Sequence, residues 1–148
     1  ESISKNYAGR ASSAPILHLL VSLLKLGMEG YKKLMATQVD LLHILEEELS
    51  KLANNLEEKI IQCNNPISIA MTLNNLEQKE IESLGGHLYN LRVTGPRVVN
   101  VEKTDFGACT DEIKTPYIVI NAAIGVKKEH IRESVKRLKK AINQTALK

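Results

Sequence analysis

KIIQCNNPISIAMTL, residues 59–73, is the stretch that decides the fold. Upstream of it the apolar residues recur every three or four positions. Within it they come in two short runs, KIIQC and ISIAMTL, parted by Asn64-Asn65-Pro66. β-branched side chains suit a pleated backbone, and an Asn-Asn-Pro step is turn chemistry. The pattern predicts an antiparallel hairpin. A chain that breaks a helical pattern with a hairpin must find further strands or a helical layer to cover it.

Both follow. LEQKEIESLGGHLYNLRV, residues 76–93, returns to helical spacing, with Ile81, Leu84, Leu88 and Leu91 on one stripe. Gly85 and Gly86 inside that stripe lack the frame of a phosphate loop and are expected to allow close helix packing. GPRVVNV (95–101) reads as a strand, residues 102–115 as a polar loop, and PYIVINAAIG (116–125) as a buried strand. The last segment is an amphipathic helix from Lys127, with Ile131, Val135, Leu138 and Ile142 inside.

Toward the start, Ser12 or Ser13 can cap a helix and Pro15 fits its first turn. That helix runs through PILHLLVSLLKLG and is expected to stop at Gly27. Ile16 and six leucines leave it little polar face, so it is expected to lie against another domain or subunit. A second helix runs from about Glu29 to Asn54, roughly 36 Å at 1.5 Å per residue. The predicted organisation is a lead-in (1–28), a connecting helix (29–54) and a small domain (55–148). Runs of strands broken by helices predict an α+β class, with helices packed on one face of a mostly antiparallel sheet.

Composition narrows the function. The chain has 148 residues and a net charge of +3, too mild to announce nucleic-acid binding by itself. Cys63 and Cys109 lie far apart and form no metal-ligand spacing, so they read as free thiols of a reducing, cytoplasmic compartment. No apolar run reaches a membrane span. The first residue is Glu1, and ESISKNYAGR reads as mid-chain text, so a fragment of something longer is expected.

Few residues carry chemistry. Arg10, in YAGRASSAP, sits beside Gly9 and just ahead of a helix N-terminus. It is placed either to grip an anion bidentately or to serve as a loop charge paired with a carboxylate. His18, His43, His87 and His130 share no i, i+4 spacing, so no metal site is expected. His18 reads as a core or interface residue. Ser12 and Ser13 lack a nucleophile's context and read as caps. The terminal helix carries Lys127, Lys128, Arg132, Lys136, Arg137, Lys139 and Lys140 against Glu129 and Glu133. That face is either solvated or a phosphate-backbone contact. Aromatic residues are 3% of the chain, so base stacking is poorly supported.

Four blocks, YAGRASSAP, GYKKL, NPISIAMTL and VTGPRVV, resemble in order the C-terminal part of the O-phosphoseryl-tRNA(Sec) selenium transferases. The resemblance runs from Lys5 to the terminal helix. It departs at Ala8, where the family has proline, and around 102–115, which is shorter and divergent. It implies the small C-terminal domain of a type I pyridoxal-phosphate-dependent transferase. The family turns phosphoseryl-tRNA(Sec) into selenocysteinyl-tRNA(Sec) with selenophosphate and assembles as a tetramer. Its cofactor lysine lies upstream of the GRAS block, so this chain alone is expected to hold no pyridoxal 5′-phosphate and to be inactive. Arg10 matches the family arginine that holds the phosphate of the phosphoseryl group, the leaving group of a β-elimination. The family also uses an arginine near the end of the LGGHLYNLRV helix to touch the discriminator base of the tRNA. An ungapped match puts Leu91 there, with Arg92 next to it, about 100° around the helix. Lys136, Arg137 and Lys140 lie where the family approaches tRNA. Two other readings stand beside this one: a non-catalytic tRNA- or protein-binding module, and a type I enzyme acting on a free amino acid.

Overall fold

The computed structural model describes residues 12–62, 64–101 and 113–145. Arg10, Cys63, Cys109 and most of the polar loop expected at 102–115 lie outside them. The described residues fall into two compact units that part between Leu34 and Met35.

Helix α1 is assigned to Ala14–Asn55, but its backbone leaves the helical region at Gly27, with φ 63° and ψ 178°. That conformation is open essentially to glycine alone. The break falls where the sequence predicted the first helix to stop. At the start, the Ser12 Oγ accepts a hydrogen bond from the Ala14 N–H at 3.2 Å, and Pro15 occupies the first turn. Among its described residues the first unit buries no large apolar side chain: Ile16, Leu19, Leu20, Leu23 and Leu24 are all exposed, Leu24 by 75%. His18 is exposed as well, so it is no core histidine of the described residues.

The second unit holds the sheet. Strands β1 (Ile60–Ile61), β2 (Ser68–Thr72), β3 (Arg97–Val99) and β4 (Tyr117–Asn121) are ordered β1-β2-β4-β3, every pair antiparallel. Registers such as Ile60↔Met71, Met71↔Ile118 and Val98↔Ile118 put one row of side chains on one face. Ile69, Met71, Ile118 and Ile120 on that face join Leu41, Leu45, Leu49 and Leu52 of α1 in the main core. Helices α2 (Gln78–Asn90) and α3 (Lys128–Thr145) complete it with Ile81, Leu84, Leu88, Val135 and Leu138. The architecture is α+β, as the sequence predicted. The opposite face carries a smaller cluster of Ala70, Val99 and Tyr117, with Val119 and Ile61 against it.

Two details differ from expectation. The run KIIQC contributes only Ile60 and Ile61 to the ladder, although the Lys59 carbonyl accepts from the Thr72 N–H and its N–H donates to the Thr72 hydroxyl, each at 2.9 Å. There the buried Glu58 carboxylate accepts from the Thr72 hydroxyl and the Asn75 N–H. Gly85 and Gly86 do not serve close packing: both are exposed, and a Cβ at either would meet nothing within 4 Å. Gly85→Ala should therefore stabilise the chain by up to about 1 kcal/mol through helix propensity alone. Thermal unfolding checks this; a loss of stability would mean α2 is packed there after all.

Candidate functional site

Helix α3 begins where the Lys127 N–H meets the His130 Nδ1, at 3.4 Å. Its apolar stripe of Ile131, Val135, Leu138, Ala141 and Ile142 is buried, so its charged residues are forced outward. They spread over one broad face. Arg132 has its Nε 3.9 Å from the Glu48 carboxylate that Lys51 also pairs. Lys136, Arg137 and Lys140 line a groove with the end of α2.

The end of α2 is a Schellman motif. The Val93 N–H bonds the Leu88 carbonyl and the Arg92 N–H bonds the Tyr89 carbonyl, each at 2.9 Å. Val93 is buried near the core, as this motif's hydrophobic contact requires. Arg92 takes the left-handed position, φ 58°, that glycine usually fills. Glu57 does the same after α1, with φ 57°. The one-residue step from Leu91 to Arg92 is therefore not a helical step of 100°. It crosses a helix terminus, where the chain reverses hand.

The two helices enclose a groove lined by Asn90, Leu91, Arg92, Glu133, Lys136, Arg137 and Lys140. Four cations face one carboxylate there. All four residues singled out in the sequence for RNA contact, Arg92, Lys136, Arg137 and Lys140, line this groove. Arg137 reaches both helices: its Nε donates to Glu133 Oε1 at 2.8 Å and its Nη1 to the Leu91 carbonyl at 2.9 Å. The hydrogen bond from Arg137 holds the Glu133 carboxyl below the usual carboxylate range, with the charges of Arg137 and Lys136 adding to it. Lys136 and Lys140 form no ion pair with a described carboxylate. They lie one turn apart, about 6 Å along the axis. Beside the groove, and sharing Arg92, Glu133 and Arg137 with it, is a cleft of about 340 Å³ with an apolar floor of Leu45, Val93, Ile120 and Ile131. Sequence reasoning did not foresee this cleft, because its walls come from α1, α3, β4 and the 92–96 turn.

No described group of His, Cys, Asp and Glu is placed to hold a metal ion. Every described lysine is exposed, whereas a Schiff-base lysine works desolvated in a pocket. The described residues therefore do not by themselves fit pyridoxal phosphate. No described helix is long and apolar enough to cross a membrane.

A family model described as O-phosphoseryl-tRNA(Sec) selenium transferase, SepSecS, matches residues 1–143. The enzyme of that name from Methanocaldococcus jannaschii is 44% identical over 138 residues, covering 92% of this chain and 30% of the relative. That of Methanococcus maripaludis is 40% identical, covering 95% of this chain and 31% of the relative. That of Dictyostelium discoideum is 30% identical, covering 97% and 36%. A crystal structure of an archaeal O-phosphoseryl-tRNA(Sec) selenium transferase superposes with a TM-score of 0.75 at 38% identity, covering 93% of this chain and 31% of that one. The chain thus spans about a third of the length of these relatives.

Proposed function

The chain belongs to the O-phosphoseryl-tRNA(Sec) selenium transferase family, and from that premise we propose that it serves the conversion of phosphoseryl-tRNA(Sec) to selenocysteinyl-tRNA(Sec). Selenophosphate is the selenium donor in this reading. Pyridoxal 5′-phosphate is the cofactor, held by residues other than those described, in a cytoplasmic homotetramer. The part this chain plays is to receive the tRNA, and through Arg10 the phosphate of its phosphoseryl group. Residues 1–28 are the lead-in, and the connecting helix, 29–54, gives its second half to the core of the small domain that residues 55–148 complete. The exposed leucines between Ile16 and Leu26 lie against the cofactor-bearing part of the enzyme or a neighbouring subunit. An apolar surface of that extent is the mark of an interaction face.

One observation carries the RNA-binding reading: the fold gathers Arg92, Lys136, Arg137 and Lys140 around one groove, from positions up to 48 apart in sequence. Cations clustered along a helix are the electrostatic footprint of a phosphate backbone. Lys136 and Lys140 would each neutralise a phosphate directly. Arg10 would hold the phosphoseryl phosphate, whose growing charge as a leaving group needs a fixed bidentate partner.

The test is tRNA(Sec) binding by the complete enzyme across a salt series. Each neutralised phosphate adds about 0.9 to the slope of log affinity against log salt. Lys136→Ala and Lys140→Ala should each lower that slope by about 0.9, and weaken binding on the order of fivefold near 0.1 M salt. An unchanged slope in both variants would remove the groove from the RNA interface.

A further inference from the structure

Arg137 differs from the other three cations of the groove. Its Nε–H and one Nη1–H are already engaged, on Glu133 and on the Leu91 carbonyl. The engaged Nε–H is half of the guanidinium's side-on edge, one of the two edges that meet a phosphate bidentately. Glu133, whose ionised form this bond favours, brings a negative charge to where a phosphate would approach. The pair is therefore poorly suited to hold an RNA phosphate, although it lies in the middle of a basic groove.

Its geometry suits another task. Leu91 is the C-cap residue of α2, and its carbonyl is one of the last four that no helical N–H can serve. Arg137 satisfies it from α3, 46 residues away in sequence. The next residue is Arg92, in its left-handed conformation, and then Val93, pinned into the core. The direction in which Arg92 leaves the chain is thus fixed on one side by Val93 and on the other by the bond to Leu91. Glu133, one turn before Arg137 on α3, holds the guanidinium in line for that bond.

We infer that Arg137 is a positioning residue for RNA recognition: it ties the end of α2 to α3 so that Arg92 presents its guanidinium to the tRNA. The inference rests on the groove being the tRNA interface, as proposed above. It assigns Arg92, not Arg137, the direct contact.

The two roles separate by experiment in the complete enzyme with tRNA(Sec). Arg92→Ala should lower the salt slope by about 0.9, as loss of a direct contact does. Arg137→Met should weaken binding by no more than Arg92→Ala does, about fivefold, and lower the slope by no more than the same amount of about 0.9, because it acts through that one contact. Arg137→Lys keeps the charge and loses the planar fork that spans Glu133 and Leu91, so it should lose as much as Arg137→Met. In the Arg92→Ala background, Arg137→Met should cost less than about twofold more, because its effect runs through Arg92. Full affinity in Arg137→Lys, a further slope loss when Arg137→Met is added to Arg92→Ala, or additive losses would each overturn the positioning role. If those results come with slope losses at Lys136 and Lys140, the interface stands and only this inference falls. If Arg92, Lys136 and Lys140 can all be replaced with no change in binding, the interface itself falls, and the inference with it.

Discussion

Arg10→Ala in the complete enzyme is expected to lower turnover of phosphoseryl-tRNA by about 10²- to 10³-fold, the usual consequence of removing a fixed donor from a developing charge. In the proposed reaction the substrate's phosphate leaves with the C–O electron pair, so its charge grows as that bond breaks. A guanidinium placed beforehand stabilises that charge with two parallel N–H bonds and no rearrangement. In the sequence Gly9 precedes Arg10 and a helix begins at Ala14, a setting that would suit this role. Arg10→Lys should recover little of the loss, since an ammonium offers one point of contact where the fork offers two. The measurement is single-turnover phosphate release, read beside the cofactor content of the purified variant. Loss of turnover with pyridoxal phosphate retained fits the assignment. Turnover near that of the unaltered enzyme would end it. Loss of both cofactor and turnover would place Arg10 in the cofactor's binding instead.

Leu49→Ala is the second large effect. Leu49 is fully buried, one turn from Leu45 and on the stripe that begins at Leu41. It belongs to the core cluster that also holds Leu84 and Leu138 of the other two helices and Met71 and Ile118 of the sheet. Truncating such a leucine removes its transfer energy and leaves a cavity, a loss of about 3–5 kcal/mol. Against a total stability of roughly 5–15 kcal/mol, that takes much of what holds the unit folded. Denaturant unfolding of the 148-residue chain reads it out, with Leu24→Ala as the contrast. Leu24 is exposed in this chain, so its loss should stay within about 0.5 kcal/mol. Equal effects at the two positions would mean that the second half of α1 is not part of the core.

Much of the fold was legible because its signals are local. The break at Gly27, the β-branched runs flanking Pro66 and the stripe Ile131, Val135, Leu138, Ile142 each announce an element within a few residues. The sheet order was not legible. Nothing local in PYIVINAAIG says that β4 sits between β2 and β3, since that depends on which strands share a face. The candidate site divides the same way. Glu133 and Arg137 are spaced i, i+4, a readable helical pair. The bond from Arg137 to Leu91 is not readable, because it joins two helices through a backbone carbonyl that any residue could supply. The left-handed turn at Arg92 was hidden by its residue type, as a glycine there would have marked the helix end. The role of Arg10 was read from its setting and from the family resemblance, and it lies outside the described residues.

The central pairing of the sheet also bears on how the domain forms in time. β2 meets β4 with Ile69 opposite Ile120, a separation of 51 residues, whereas β1 meets β2 with Ile61 opposite Ala70, a separation of 9. Closing the longer loop costs about 1.5 kcal/mol more entropy, by the logarithmic dependence on length. The β1–β2 ribbon is thus the cheaper event, but two strands alone are marginal in water. Its formation becomes permanent only when β4 arrives and the apolar side chains of α1 close over Met71 and Ile118. The central pairing is therefore a long-range one, the kind of contact that sets mixed α/β folds apart from the faster helical bundles. Until β4 docks, the edge of β2 that β4 will cover stays open. A chain held back at that stage would be open to pairing with a strand from another molecule.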